Sequence, residues 1–248
     1  MKPGSEAHWF GDKPVDPTEK AGLVRGVFDR VASRYDLMND LMSGGVHRLW
    51  KHEFLTSISP RPDEELLDVG GGTGDIAFGW RKRGGGPAVL CDINAAMLSV
   101  GRDRGIDHGL VRGLTWVNGD AEKLPFHDAR FDVFTIAFCL RNVTDIDAAL
   151  REAARVLKPG GRFFCLEFSK VVVPPLARAY DAWSRFVIPR IGAVVAKDRE
   201  SYEYLVESIR RFPDQETLCA RIEAAGLRHA RVRNLSGGIA AIHSAERA

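Results

Sequence analysis

Three acids and a run of glycines are the residues of this chain best placed to do chemistry. Residues 66–75 read LLDVGGGTGD, so Asp68 closes a short apolar run, and Gly70, Gly72 and Gly74 follow at every second position. Asp92 closes a second apolar run, PAVLCD, and Asp120 ends a third, LTWVNGD. A glycine loop between a strand and a helix lets the backbone turn tightly and lets a ligand press against it. The first amides of the helix then face that ligand. Two ligand classes use such a loop. A dinucleotide lays its pyrophosphate there, with the spacing GxGxxG and an acid about 20 residues on. S-adenosyl-L-methionine has no phosphate, and its amino-acid and ribose portions fill the same space.

The spacing favours the second ligand. The third residue after Gly72 is Asp75, where the dinucleotide fingerprint wants glycine. An anion there repels a pyrophosphate but not a sulfonium or an ammonium. Asp92 can accept from both ribose hydroxyls, and charge-assisted bonds of this kind are worth roughly 1.5–3 kcal/mol each. Asp120 can accept from the adenine amino group while the amide of Ala121 donates to the ring. Asp68 is placed to orient the loop and attract the ammonium. Any one of these acids reads equally well as a cap or turn residue. Three at successive strand ends, all on the carboxyl edge where open α/β sheets bind ligands, point to a site.

The elements that position them alternate strand and helix. EELLDVG, PAVLCDIN, LTWVNGD, FDVFTIAFC and GRFFCLEFS read as strands. Between them lie DIAFGWRKRG, AAMLSVGRDRG and DIDAALREAARVLKPGG, the last with Ile146, Leu150, Ala153, Ala154 and Leu157 on one helical face. This rhythm means βαβ units and a parallel sheet. After residues 170–213 break it, a helix and two short strands joined by Ser-Gly-Gly end the sheet in an antiparallel hairpin. The expected organisation is a mobile arm (1–20) and one domain (21–248). That domain comprises a helical cap (21–58, carried by Val24, Val27, Phe28, Val31, Leu49, Trp50 and Phe54), a core (62–169), an insertion (170–213) and the end of the sheet (214–248).

Composition bounds the partners. The chain has 248 residues, 45% hydrophobic and 27% charged, with a formal net charge of +2. That is ordinary globular composition, and nothing in it calls for a nucleic acid. The four cysteines have neither redox nor zinc spacing and read as free thiols in a reducing compartment. The first twenty residues lack the apolar core of a signal peptide or anchor. A cytoplasmic protein able to touch the inner face of a membrane is expected.

Further tracts carry a resemblance: VASRYDLMNDLMSGGVHRLWK, LRNVTD, RVLKPGGRFFCLEFSK, AYDAWSRFVIPRIG, YLVESIRRFPDQETL and NLSGGIAAIH. Residues 65–169 look like a class I S-adenosylmethionine-dependent methyltransferase, Rossmann-like with helices on both faces. The wider set, from about residue 20 to residue 243, resembles the ubiquinone/menaquinone biosynthesis C-methyltransferase family. The resemblance implies ring-carbon methylation of a polyprenylated quinol. The acceptor would be a 2-methoxy-6-polyprenyl-benzoquinol, a demethylmenaquinol or both. It also implies cofactor contacts from Thr73, Asp92, Asp120 and Ala121. Ala137 joins them without the serine hydroxyl that family members commonly carry there, and Cys139 stands where glycine is usual.

The acceptor chemistry looks to residues beyond the fourth strand. A quinol carbon becomes nucleophilic when a neighbouring phenol of pKa about 10 loses its proton. Arg141 can stabilise the phenolate by charge, and Asn142 can hold a hydroxyl or a water. Arg141 also reads as a surface ion pair with Asp145. Tyr35 and Asp36 can close over the acceptor. His47 has a suitable pKa for a base, or packs as a structural histidine beside Trp50. In the insertion, Tyr180, Trp183, Phe186, Ile188, Tyr202, Tyr204 and Leu205 stand among Arg178, Arg185, Arg190, Lys197 and Arg199. It reads as a cover that guides the prenyl tail and meets the membrane, or else as homodimer contact or plain core. The competing functions are methylation of another phenolic or lipid acceptor, a NAD-dependent dehydrogenase, and a non-catalytic scaffold in a quinone-synthesis complex.

Overall fold

The computed structural model describes residues 9–10, 13–16, 19–20, 22–24, 26–27, 40, 43–110, 112–184 and 199–248. Phe28, Val31, Tyr35, Asp36, Arg185, Phe186, Ile188, Arg190 and Lys197 lie outside them. Seven strands form the main sheet in the order β5-β4-β3-β6-β7-β9-β8. Strands β3 (Leu66–Val69), β4 (Ala88–Asp92), β5 (Leu114–Asn118), β6 (Phe131–Ala137) and β7 (Leu157–Phe168) run parallel. Strands β8 (Leu227–Leu235) and β9 (Ala240–Arg247) close it as an antiparallel pair. The order reverses between β3 and β6, which opens a crevice at their carboxyl ends.

Side chains alternate across this sheet. Leu66, Leu90, Val133, Phe164 and Leu166 face one core with Trp50, Phe54 and Trp80. Leu67, Val89, Phe134, Phe163 and Cys165 face the other with Leu150 and Leu218. The helices α1 (His47–Ile58), α2 (Asp75–Lys82), α3 (Ala95–Asp107), α4 (Ile146–Val156), α5 (Pro174–Ala182), α6 (Arg199–Arg211) and α7 (Gln215–Ala224) complete the described layers. Asn94, Asp145 and Asp214 cap α3, α4 and α7 by accepting from the amides of Met97, Ala148 and Thr217.

Four expectations change. The arm contains a small hairpin, β1 (Trp9–Phe10) against β2 (Lys13–Pro14), and Lys20 donates to the Val143 carbonyl at 2.8 Å. Leu49 is 66% exposed, and Trp50, Phe54, Leu55 and Ile58 form the buried stripe of α1 instead. Helix α4 stops at Val156, and Leu157 turns extended and pairs with Phe131. Pro159 disfavours the helical region for Lys158, which explains the early stop. Finally, Tyr202, Tyr204 and Leu205 lie in the core, so plain packing holds for this part of the insertion. Among the described residues, no helix is long and apolar enough to cross a membrane.

Candidate active site

The glycine loop leaves β3 and enters α2. Gly70 has a φ of +65°, and a Cβ there would stand 2.3 Å from Cys139 Sγ, so only glycine fits. Gly74 precedes α2 with a φ of +91° and offers no side-chain cap. The first turn of α2 thus has no side-chain cap, unlike α3, α4 and α7, although its Ala77 amide faces the Asp68 carboxyl. Thr73, buried, sits within the loop.

Beneath the loop, Asp68 is 1% exposed. The register places it beside Thr135 on β6, whose hydroxyl donates to Asp68 Oδ1 at 2.8 Å. Asp68 Oδ2 has no protein partner. Burial pushes its carboxyl up to about 7. At the end of β4, Asp92 Oδ2 accepts from Gly72 N at 3.0 Å and Oδ1 from Asn94 N at 2.8 Å. Burial pushes this carboxyl up as well, to about 6, against those two amides. Each oxygen keeps a second lone pair for a ligand hydroxyl. Beyond β5, Asp120 Oδ1 accepts from Glu122 N at 2.9 Å. The acids converge on one cavity of about 410 Å³, whose walls include Asp68, Gly70, Gly72, Thr73, Asp92, Asp120, Ala121, Ala137 and Asn142.

Asp75 behaves differently from the reading given by its spacing. Lys51 Nζ meets its Oδ2 at 2.5 Å and Arg104 meets its Oδ1 at 3.0 Å. Desolvation raises its pKa, but the two cations hold it below the usual carboxylate range. Its charge is thus spent within the protein, and only the missing glycine at this position still argues against a dinucleotide. Negative character comes instead from Asp68, Asp92, Asp120 and Glu122.

The turn after β6 carries Arg141 and Asn142, the residues expected to handle the acceptor. Phe138 adopts a φ of +54° while fully buried, a conformation costly for a non-glycine residue and concentrated at functional sites. It packs between Trp50 and Phe168. Arg141 is buried, and its Nη1 donates to Glu167 Oε2 at 2.8 Å and Oε1 at 3.1 Å. Its guanidinium lies over the Phe168 ring at 5.3 Å. Asp145 caps α4 and is not its partner; it stands 3.8 Å from Arg151 instead. Arg141 does not line the cavity, whereas Asn142 does. Asn142 Oδ1 accepts from the Tyr204 hydroxyl at 3.1 Å, and its Nδ2 lies 3.4 Å from the Phe138 carbonyl. His47 is buried, bonded through Nε2 to Asp40 at 2.8 Å, and stands outside the cavity wall.

Residues 16–247 match the ubiE/COQ5 methyltransferase family. The chain belongs to that family. Relatives that carry the name ubiquinone/menaquinone biosynthesis C-methyltransferase UbiE include the following two. That of Caulobacter vibrioides strain NA1000 is 56% identical over 244 residues, covering 94% of this chain and 95% of the relative. That of Acidiphilium cryptum is 57% identical over 240 residues, covering 97% and 96%. Among solved structures, a SAM-dependent methyltransferase from Thermotoga maritima superposes with a TM-score of 0.65 at 20% identity, over 91% of this chain and all of that one. That likeness shows the class I methyltransferase fold.

For this methyltransferase, the sequence reading missed Glu167, Phe138, Tyr204's bond to Asn142, and Lys51. Glu167 left a signal: an acid inside the apolar strand FFCLEF needs a buried cation. The left-handed turn at Phe138 left none.

Proposed function

We propose that the protein transfers a methyl group from S-adenosyl-L-methionine to a ring carbon of a polyprenylated quinol in ubiquinone or menaquinone biosynthesis. The observation that carries this reading is the full-length likeness to relatives of that name. The donor set supports the cofactor. The unpartnered Asp68 Oδ2, buried beneath a glycine loop, suits an ammonium, and a carboxylate at the end of β4 suits a ribose diol. Gly70, Gly72, Thr73 and Gly74 would admit the amino-acid end, and Asp120 with Ala121 the adenine. Ala137 leaves room beside them. When bound, the cofactor supplies an electrophilic methyl on a sulfonium.

The protein's part is to seat the acceptor ring in line and ease its phenol proton away. Asn142 is the group we assign to the acceptor oxygen. With its Oδ1 taken by Tyr204 and one Nδ2–H directed at the Phe138 carbonyl, it offers its remaining amide N–H to a phenolate. Arg141 stands behind it as an electrostatic support whose charge is shared with Glu167, so it lowers the phenol's pKa less than a free guanidinium would. Tyr35 is assigned to close over the ring. Around α5, Val172, Val173 and Trp183 are exposed apolar side chains with exposed Arg178 nearby; we assign this surface to the membrane in which such quinols reside.

The test is an assay with methyl-labelled S-adenosyl-L-methionine and two reduced short-prenyl acceptors, a methoxybenzoquinol and a demethylnaphthoquinol. Mass spectrometry should place the label on a ring carbon of at least one. Cofactor binding with neither ring labelled would overturn the reading.

A further inference from the structure

The cofactor cavity is walled by carboxylates. Asp68, Asp75, Asp92, Asp120 and Glu122 all line it. Among the described residues of that wall, Lys51 is the only lysine, arginine or histidine. The ligand assigned to the cavity is not a simple cation, however. Its amino-acid end is a zwitterion, and Asp68 answers only the ammonium. The carboxylate needs a cation or N–H donors of its own, because a carboxylate taken out of water unpaired is costly.

Packing explains how Lys51 reaches the wall. Helices α1 and α2 touch at Leu55 and Gly79, so closely that a Cβ on the glycine would stand 2.2 Å from Leu55 Cδ1. One turn earlier on each helix, Lys51 meets Asp75, the first residue of α2. The close approach thus brings the ammonium to the start of α2, directly after Gly74 and the glycine loop. The Lys51 side chain is 13% exposed, so its charge acts where water screens it less than at an open surface.

Asp75 alone does not account for Lys51. Arg104 Nη2 donates to Asp75 Oδ1 at 3.0 Å, while Lys51 Nζ donates to Oδ2 at 2.5 Å. One carboxylate therefore faces two cations, and the three groups together are positive. Arg104 stands outside the cavity wall, so the surplus charge that a ligand meets is that of Lys51. Asp75 also lines the wall, but both its oxygens are engaged by cations. It takes one of the three N–H donors of the ammonium and leaves two for a ligand.

We propose that Lys51 binds the carboxylate of the amino-acid end of S-adenosyl-L-methionine, held in place by Asp75 and Arg104. With Asp68 on the ammonium, the site then reads both charges of the zwitterion. Lys51 becomes the residue that rejects adenosine thioethers lacking a carboxylate. The proposal rests on the reading of this cavity as the S-adenosyl-L-methionine site and adds a specificity-determining residue to it.

The test is calorimetric binding to the full chain with three ligands. These are S-adenosylhomocysteine, its decarboxylated form, which keeps the ammonium, and methylthioadenosine, which lacks the whole amino-acid end. Wild type should bind S-adenosylhomocysteine at least about tenfold more tightly than the decarboxylated form. In Lys51→Met, which keeps the apolar stem, that ratio should fall to within about twofold, with methylthioadenosine bound as by wild type. Lys51→Arg should keep most of the ratio. Equal binding of S-adenosylhomocysteine and its decarboxylated form by wild type would overturn the assignment before any variant is made. So would an unchanged ratio in Lys51→Met, or an equal loss for all three ligands, which marks a role in cavity shape alone. If wild type binds none of the three, the cofactor reading itself fails and Lys51 with it. Binding without discrimination removes Lys51 and leaves the cofactor reading standing.

Discussion

At the carboxyl ends of β4 and β5, each acid is held by nearby backbone. Asp92 takes the amides of Gly72 and Asn94, and Asp120 that of Glu122. At the ends of β6 and β7, the partners are side chains far along the sequence. Arg141 is held by Glu167, 26 residues on, and Asn142 by Tyr204, 62 residues on. The first arrangement rests on backbone amides, which only a proline substitution removes. The second depends on tertiary packing, so a change in one partner strands the other. Cofactor binding and acceptor handling should therefore fail in different ways when each half is disturbed.

The largest effect is expected at the buried pair. Replacing Glu167 with alanine leaves the Arg141 guanidinium uncompensated, and removing one partner of such a pair costs about 3–5 kcal/mol. Urea unfolding should show a loss of that size, and replacing both residues with apolar ones should recover most of it. A loss under about 1 kcal/mol would mean that the pair is not what holds the acceptor half together.

Next comes the contact where the two halves touch. Gly70→Ala meets both a left-handed backbone and the Cys139 sulfur, for a combined cost of about 2–4 kcal/mol. In a Cys139→Gly background, only the backbone part of about 1–2 kcal/mol should remain. Additive costs in this double-mutant cycle would refute the close approach.

Asp92→Ala sharpens the comparison on the cofactor side. Affinity for S-adenosyl-L-methionine should fall at least about tenfold, equivalent to about 1.4 kcal/mol, with little change in global stability. An unchanged titration would remove Asp92 from the site. A smaller, graded effect is expected from pH. With the Asp68 carboxyl near 7, cofactor affinity should weaken as pH falls from 8 to 6 and the anion facing the ammonium is protonated. Asp68→Asn should flatten that slope. For the unliganded protein the sign reverses. The folded state binds the Asp68 proton more tightly than the unfolded chain does, so this group's contribution to stability grows as pH falls from about 7 towards 4. A cofactor affinity equal at pH 6 and pH 8 would contradict the assignment of Asp68.

The same contrast explains what could be read from the sequence. The parallel strand–helix alternation, the antiparallel end and the converging acids follow from period, glycine spacing and strand ends, whereas the strand order with its reversal between β3 and β6 comes only from the structure. Leu49 and Leu157 depart from their expected places because helical spacing alone does not say which residues face the core, or that Pro159 pulls its predecessors out of the helix. Arg141 is legible from its position after a strand, but the alternative of a surface pair with nearby Asp145 fails because its partner Glu167 lies a whole helix and strand away. Asp75 was correctly seen as a departure from the dinucleotide pattern. Its neutralisation by Lys51 and Arg104 depends on α1 and α3 packing against α2, which no spacing reveals.

Tyr204→Phe offers the most direct measurement, since it removes the hydroxyl that bonds to Asn142, and Tyr204 does not itself line the cavity. The quantity to measure is the methyl-transfer rate at saturating S-adenosyl-L-methionine, with the cofactor dissociation constant taken on the same sample. The account predicts a rate about tenfold lower, equivalent to about 1.4 kcal/mol, at an unchanged dissociation constant. A wild-type rate with weakened cofactor binding would contradict the division of the site into a cofactor half held by backbone amides and an acceptor half held by side chains.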